Sequence, residues 1–189
     1  MGLAMADLAE KRLTVDEFLV WAEGREGKWE LVDGSPAAMS PERVRHTRTK
    51  TAVVFALRES VRRAGAPCEA FVDGITLRVR DDRAFVPDAA VVCPPPPPDV
   101  VEIDNPLIVV EVLSPSTAAL DHGIKLESYF SLASLAHYLI LDPDRRVVIH
   151  HARGGGGIIE TRILHSGGLR LTPPGLELDI ADLFGPPEV

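Results

Sequence analysis

Between Leu107 and Ser114 six of eight residues are aliphatic, the pattern of a strand buried on both faces, yet Glu111 interrupts them. Strand alternation puts Leu107, Val109, Glu111 and Leu113 on one face and Ile108, Val110 and Val112 on the other. A second apolar run, Ala89–Val92, follows directly on Pro87-Asp88, so another acid stands against another buried strand. Ahead of these, LTVDEFLVWAEG predicts a short helix capped by Thr14 and ended by Gly24. KWELVDGSPAAMS predicts a hairpin turning at Asp33-Gly34. From Glu42 to Ala64 the positions Val44, Ala52, Phe55, Ala56 and Val61, ended by Gly65, predict a long amphipathic helix.

CEAFVDGITLRVRDDRAFVPDAAVV reads as short strands turning at Asp73-Gly74 and Asp81-Asp82. The prolines from Pro94 to Pro98 cannot join a sheet interior and predict an extended loop. Thr117–Ala133 predicts a second long helix, weakened by Gly123. AHYLILD, RRVVIHHA and IIETRIL then predict a strand meander, joined by Pro143-Asp144 and the Gly154–Gly157 run. No Lys-Ser/Thr follows those glycines, so they make a loose turn and not a phosphate loop. The tail PPGLELDIADLFG adds a last short strand and turn. The expected architecture is α/β, a mixed central sheet carrying the two long helices, with the first helix to the side. One domain spans residues 13–185 after an arm of residues 1–12.

Composition narrows the class. A hydrophobic content of 46% and a mean hydropathy of +0.08 describe a globular chain. No run approaches the roughly 20 apolar residues that cross a bilayer, and Asp7 and Glu10 interrupt any leader-like N-terminus. Cys68 and Cys93 form neither a disulfide framework nor a zinc spacing, so reduced thiols in the cytoplasm are expected. A net charge of −8 opposes tight non-specific DNA binding but leaves room for a local basic face. His150 and His151 are adjacent in a predicted strand and face opposite ways, against a shared metal site.

Asp88 and Glu111 are where chemistry enters. Burying an unpaired carboxylate costs several kcal/mol, against a total stability of about 5–15 kcal/mol. The two lie 23 positions apart (111 − 88), close enough for neighbouring strands joined by the proline loop. Carboxylates held together repel unless a proton or a cation bridges them. Oxygen ligands of this kind suit Mg²⁺ or Mn²⁺.

Pro87-Asp88 followed by Glu111-Val112-Leu113 resembles the bipartite motif of the PD-(D/E)XK nuclease superfamily. WELVDG, MSP followed by a helical histidine, VPDAAVV, VVEVLSPST and D…K…Y together resemble the Uma-two family, described as restriction-endonuclease-like domains. The resemblance runs from Leu13 to Ile149. It implies a restriction-endonuclease-like fold and an Mg²⁺- or Mn²⁺-dependent endonuclease hydrolysing DNA phosphodiester bonds, with no organic cofactor. The metal would be held by Asp88, Glu111, Glu30 and the carbonyl of Val112.

One position departs from the superfamily pattern, because Leu113 stands where a lysine is expected. The resemblance supplies Lys125 from the following helix, with Tyr129 one turn on to orient or shield it. His46, Arg45 and Arg48 would contact phosphate; the other meaning of the run Arg43, Arg45, Arg48 and Lys50 is a solvated helix start. A homodimer would suit cutting both strands of a duplex. Two alternatives stay open: a catalytically inactive nuclease-fold module that binds nucleic acid or protein, and, ranked last, a glycosidase using Asp88 and Glu111 as its acid–base pair.

Overall fold

The computed structural model describes residues 12–114 and 121–185. Its centre is a six-stranded sheet in the order β11-β10-β9-β8-β6-β3. The strands are β3 (Glu69–Val72), β6 (Ala89–Val92), β8 (Pro106–Val112), β9 (His137–Asp142), β10 (Val147–Arg153) and β11 (Ile159–Leu164). Only β8 and β9 run parallel within it, and the meander β9-β10-β11 is antiparallel, as its short turns require. A second sheet, in the order β2-β1-β5-β4-β7, holds β1 (Trp29–Val32), β2 (Ser35–Ala38), β4 (Thr76–Arg80), β5 (Arg83–Phe85) and β7 (Glu102–Ile103). The β1–β2 turn places Asp33 and Gly34 both at positive φ, which is why Asp-Gly serves there. A small hairpin, β12 (Gly168–Leu171) with β13 (Leu176–Asp179), completes the strands.

The predicted α/β class with a mixed central sheet is the one observed, but the apolar strands are shared between two sheets. On one face of the six-stranded sheet, Ile108, Val110 and Val112 pack with Val53, Val54 and Leu57 of α2 (Val44–Ala64), the β12–β13 hairpin and a terminal 3-10 turn, Ile180–Phe184. On the other face, Val109, Tyr138 and Ile140 pack against Leu77 and Phe85 of the second sheet and Tyr129 of α3 (Leu126–Ser131). Helix α1 (Val15–Ala22) lies apart, closing a third apolar cluster with Leu31 and Ala84. Thr14 and Glu17 form a full capping box at its start.

Three expectations are corrected. The predicted stripe of α2 is shifted: Val44 and Phe55 are exposed, and the buried positions are Thr49, Lys50, Val53, Val54, Leu57 and Ser60. The second long helix, where described, is a π-helical turn at Asp121–Lys125 followed by α3, which ends at Ser131; its first residues, 117–120, lie outside the described residues. Cys68 and Cys93 are not separate thiols but a disulfide. The register explains it. Glu69 pairs with Val92 across β3 and β6, so the next position out on each strand is a cysteine, with Cα atoms 4.3 Å apart.

Candidate active site

The short segment Val86-Pro87-Asp88 crosses from β5 of the second sheet to β6 of the first, and the polar cluster forms around it. Antiparallel pairing sets Ala89 opposite Val110, which brings Asp88 level with the end of β8. Asp88 Oδ2 accepts the Val112 backbone N–H at 2.7 Å, taking the place of a ladder carbonyl just beyond the end of β6. Its other oxygen faces α2. There His46 Nε2 lies 3.1 Å and Lys50 Nζ 3.2 Å from Asp88 Oδ1. His46 and Lys50 are one helical turn apart and continue the stripe of Val53, Val54 and Leu57. The face of α2 that packs on the sheet thus turns polar where it meets Asp88.

Lys50 is only 4% exposed, so it is no part of a solvated helix start. Its amine donates to Glu42 at 2.6 Å and Asp73 at 2.9 Å besides facing Asp88. Burial opposes its charge, but the bonds to Glu42 and Asp73 and the charge of Asp88 outweigh that and raise its pKa. For Asp88 burial alone would raise the pKa. The hydrogen bond and charge of His46, the charge of Lys50 and the Val112 N–H together hold it below the usual carboxylate value. Glu42, His46 and Asp88 each bring a potential ligand atom to within 4.8 Å of the others. Among the described residues, His46 Nδ1 and Asp73 Oδ1 are buried without a hydrogen-bond partner.

A second cluster lies against the first. Lys125 Nζ is 3.0 Å from Glu111 Oε1 and 3.1 Å from Glu30 Oε1. Tyr129 donates its hydroxyl to the same Glu111 oxygen at 2.6 Å. Burial, then the charge of Glu111, push the Tyr129 pKa well above its ordinary value, so the hydroxyl remains a donor. Glu30 reaches in from β1 and also accepts the Val86 N–H at 3.0 Å, two residues before Asp88. Glu30, Asp88, Glu111, Lys50 and Lys125 are each 6% exposed or less. The parity expected for Glu111 holds: it faces the Val109 and Tyr129 side of the sheet, while Val112 faces α2.

Most of the residues singled out from sequence therefore converge: Glu30, His46, Asp88, Glu111, Val112 and Lys125. Arg45 and Arg48 do not; both are exposed on the first turns of α2, and Arg45 pairs with Asp144. His150 and His151 indeed point to opposite faces, His150 bonding His137 and His151 bonding Thr161. The residues missed from sequence are Lys50, Glu42 and Asp73. Lys50 carried a usable signal, its spacing of three, four and seven residues from Val53, Val54 and Leu57. Glu42 and Asp73 lie in connecting segments and carried none.

A fold of this kind, with acids and lysines buried where a PD segment meets the end of an apolar strand, defines a nuclease-like α/β protein. The sequence profile of the Uma2 family, described as "Putative restriction endonuclease", matches residues 15–182, and the chain belongs to that family. It is 28% identical over 180 residues, 92% of each chain, to "Uncharacterized protein slr1290" of Synechocystis sp. (strain ATCC 27184 / PCC 6803 / Kazusa). Its fold is similar to a crystal structure described as "a putative nuclease belonging to DUF820" from Anabaena variabilis ATCC 29413. That likeness has a TM-score of 0.73 at 20% identity, covering 91% of this chain and 97% of the other. Among the described residues no helix is long and apolar enough to cross a membrane.

Proposed function

We propose that the protein is a divalent-metal-dependent endonuclease that hydrolyses DNA phosphodiester bonds. The observation that carries this reading is the meeting of three buried acids and two buried lysines where β5 passes into β6. Fixed charges kept out of water cost several kcal/mol, and sites that handle phosphate are where such an arrangement serves a purpose.

The donor set fits a metal. Glu42, His46 and Asp88 bring their ligand atoms within 4.8 Å of one another, while Glu111 and Glu30 stand in the neighbouring cluster around Lys125 and would join the shell by releasing that amine. Carboxylates suit Mg²⁺ or Mn²⁺, and the imidazole of His46 favours Mn²⁺ over the strictly oxygen-seeking Mg²⁺. Once bound, such an ion would polarise a phosphoryl oxygen and lower the pKa of a water molecule. Lys125, gripped by Glu111 and Glu30 and lying 5.3 Å from the centre of the Phe85 ring, is the fixed cation that offsets charge growing on the phosphate. Tyr129 positions Glu111, and through it Lys125. Lys50 holds Glu42, Asp73 and Asp88 together against their own repulsion. Arg45 and Arg48, at the same end of α2, supply the outward basic face that a chain of net charge −8 needs to meet a phosphate backbone.

Nicking of supercoiled plasmid with Mg²⁺ or Mn²⁺ tests the reading. Wild type nicks only with metal, and Asp88→Ala and Lys125→Ala each lose about 100-fold or more, the scale of removing one electrostatic stabiliser. Equal activity in all three proteins contradicts the assignment. One observation favours the non-catalytic module instead: every acid of the site already has Lys50 or Lys125 as an ion-pair partner. On that reading Mn²⁺ titration gives no binding heat and no nicking appears under any metal.

A further inference from the structure

Strand β11 forms one edge of the six-stranded sheet, and its residues Ile159 to Ile163 are all exposed. Ile159 and Ile163 are 38% and 64% exposed, and Ile158 just before them is 62% exposed. An exposed apolar edge strand is a template for another strand unless something blunts it. Ile-Glu-Thr-Arg-Ile holds no proline and no lysine, and its two charges, Glu160 and Arg162, are opposite and so can pair with a like strand instead of repelling it.

The order of those residues is self-complementary. If β11 pairs antiparallel with a second β11 about a two-fold axis at Thr161, Ile159 stands opposite the partner's Ile163 and Glu160 opposite the partner's Arg162. Each contact then repeats in reverse, as a two-fold interface demands. The faces agree as well. Across β10, Ile163 lies beside Ile149 and Thr161 beside His151, whereas Arg162 lies beside His150. The isoleucine pairs would therefore share one face of the joined sheet and the Glu–Arg pairs the other. Cross-strand pairs of both kinds stabilise a sheet, and like charges directly opposite destabilise it.

We propose that β11 is the dimer interface of this protein, pairing with β11 of a second copy about Thr161 into one continuous twelve-stranded sheet (two of the six-stranded sheets). The occupant is another copy, not an unrelated strand, because the charge pattern matches its own reverse. The inference does not depend on the nuclease reading.

Sedimentation equilibrium from about 1 to about 100 µM, beginning at the weak end of the affinities that protein interfaces span, tests it on the full chain. Wild type moves towards twice the 20.5 kDa chain mass. Ile163→Lys, at an exposed position that leaves the fold intact by circular dichroism, raises the dissociation constant at least about tenfold. Glu160→Arg and Arg162→Glu each weaken self-association, since each sets like charges opposite; Arg162→Glu also removes the Arg162 bond to His150 and is checked for folding by circular dichroism. A mixture of those two variants restores a dimer, because each then meets opposite charges in the other. Ile159→Arg, at the far side of the same register, weakens association as Ile163→Lys does and checks the result should Arg162→Glu fail to fold. A wild-type monomer at 100 µM, an unchanged dimer in Ile163→Lys, or a mixture no more associated than its components would each overturn the proposal.

Discussion

Lys125 shows how a buried charge is made tolerable. Its amine bridges Glu111 and Glu30, and Tyr129 satisfies the same Glu111 oxygen. Removing one partner of such a group leaves charge behind in the core, which costs about 3–5 kcal/mol. Lys125→Met therefore lowers the urea midpoint by that equivalent, whereas Arg48→Met, exposed on α2, changes it little. Equal midpoints would show that Lys125 carries no structural load. The sequence revealed Glu111 and Asp88 through their anomaly in apolar strands. Lys125 became visible only through the family's pattern, since spacing alone gives an exposed helix lysine. The histidines add a second residue-scale effect. His137 Nε2 faces the Pro173 carbonyl at 3.0 Å and must donate, so its Nδ1 accepts from His150 Nε2, and His150 Nδ1 accepts from Arg162. That chain requires both rings to be neutral. Burial first, then His137, Arg162 and His151, lower the His150 pKa to about 3 from 6.5, and His137 is lowered by burial too. In that window the unfolded chain binds a proton that the folded chain refuses, so stability is complete above about pH 6.5 and falls as pH falls. Between pH 7.5 and pH 5 His150 accounts for a loss of about 2 kcal/mol. Urea melts at the two values measure it, and His150→Phe flattens the dependence. An unchanged slope would contradict the neutral pair.

At the scale of elements, local chemistry decided more than amphipathic counting did. Helix α2 ends at Gly65, whose φ of 59° is left-handed and open to solvent. An alanine there meets no neighbour but must adopt a strained backbone, so Gly65→Ala destabilises by about 1 kcal/mol. Thermal melting checks that, and an unchanged melting temperature would rule the strain out. The ends of α1, the Asp33-Gly34 turn and the β9-β10-β11 meander were legible because caps, turns and alternation are written in adjacent residues. The stripe of α2 was not. Val44 and Phe55 look apolar by type, yet the buried face includes Lys50 and Ser60, whose partners come from β3 to β6 and β13. Tertiary contacts with distant segments chose that face, and no window along the helix contains them.

For the whole molecule, the legible part was the class: a mixed sheet, one long helix packed on it and acids set against apolar strands. The division into two sheets was not, because β1, β4, β5 and β7 are as short and mixed in burial as many edge strands. That division is what builds the site, since Glu30 comes from one sheet, Glu111 from the other, and Val86–Asp88 passes between them. The Cys68–Cys93 bond ties β3 to β6 across 25 positions. Closing a loop of that length contributes about 3 kcal/mol, so Cys93→Ser lowers the urea midpoint accordingly, and a reducing agent does the same to wild type while leaving Cys93→Ser unchanged. The account as a whole rests on Asp88 being the seat of a divalent ion. The most direct measurement is an anomalous difference map from crystals soaked in Mn²⁺. It is predicted to show a peak against the Asp88 carboxylate, beside His46 and Glu42. A map with no peak at Asp88, and Lys50 and Lys125 still bound to their carboxylates, would contradict it.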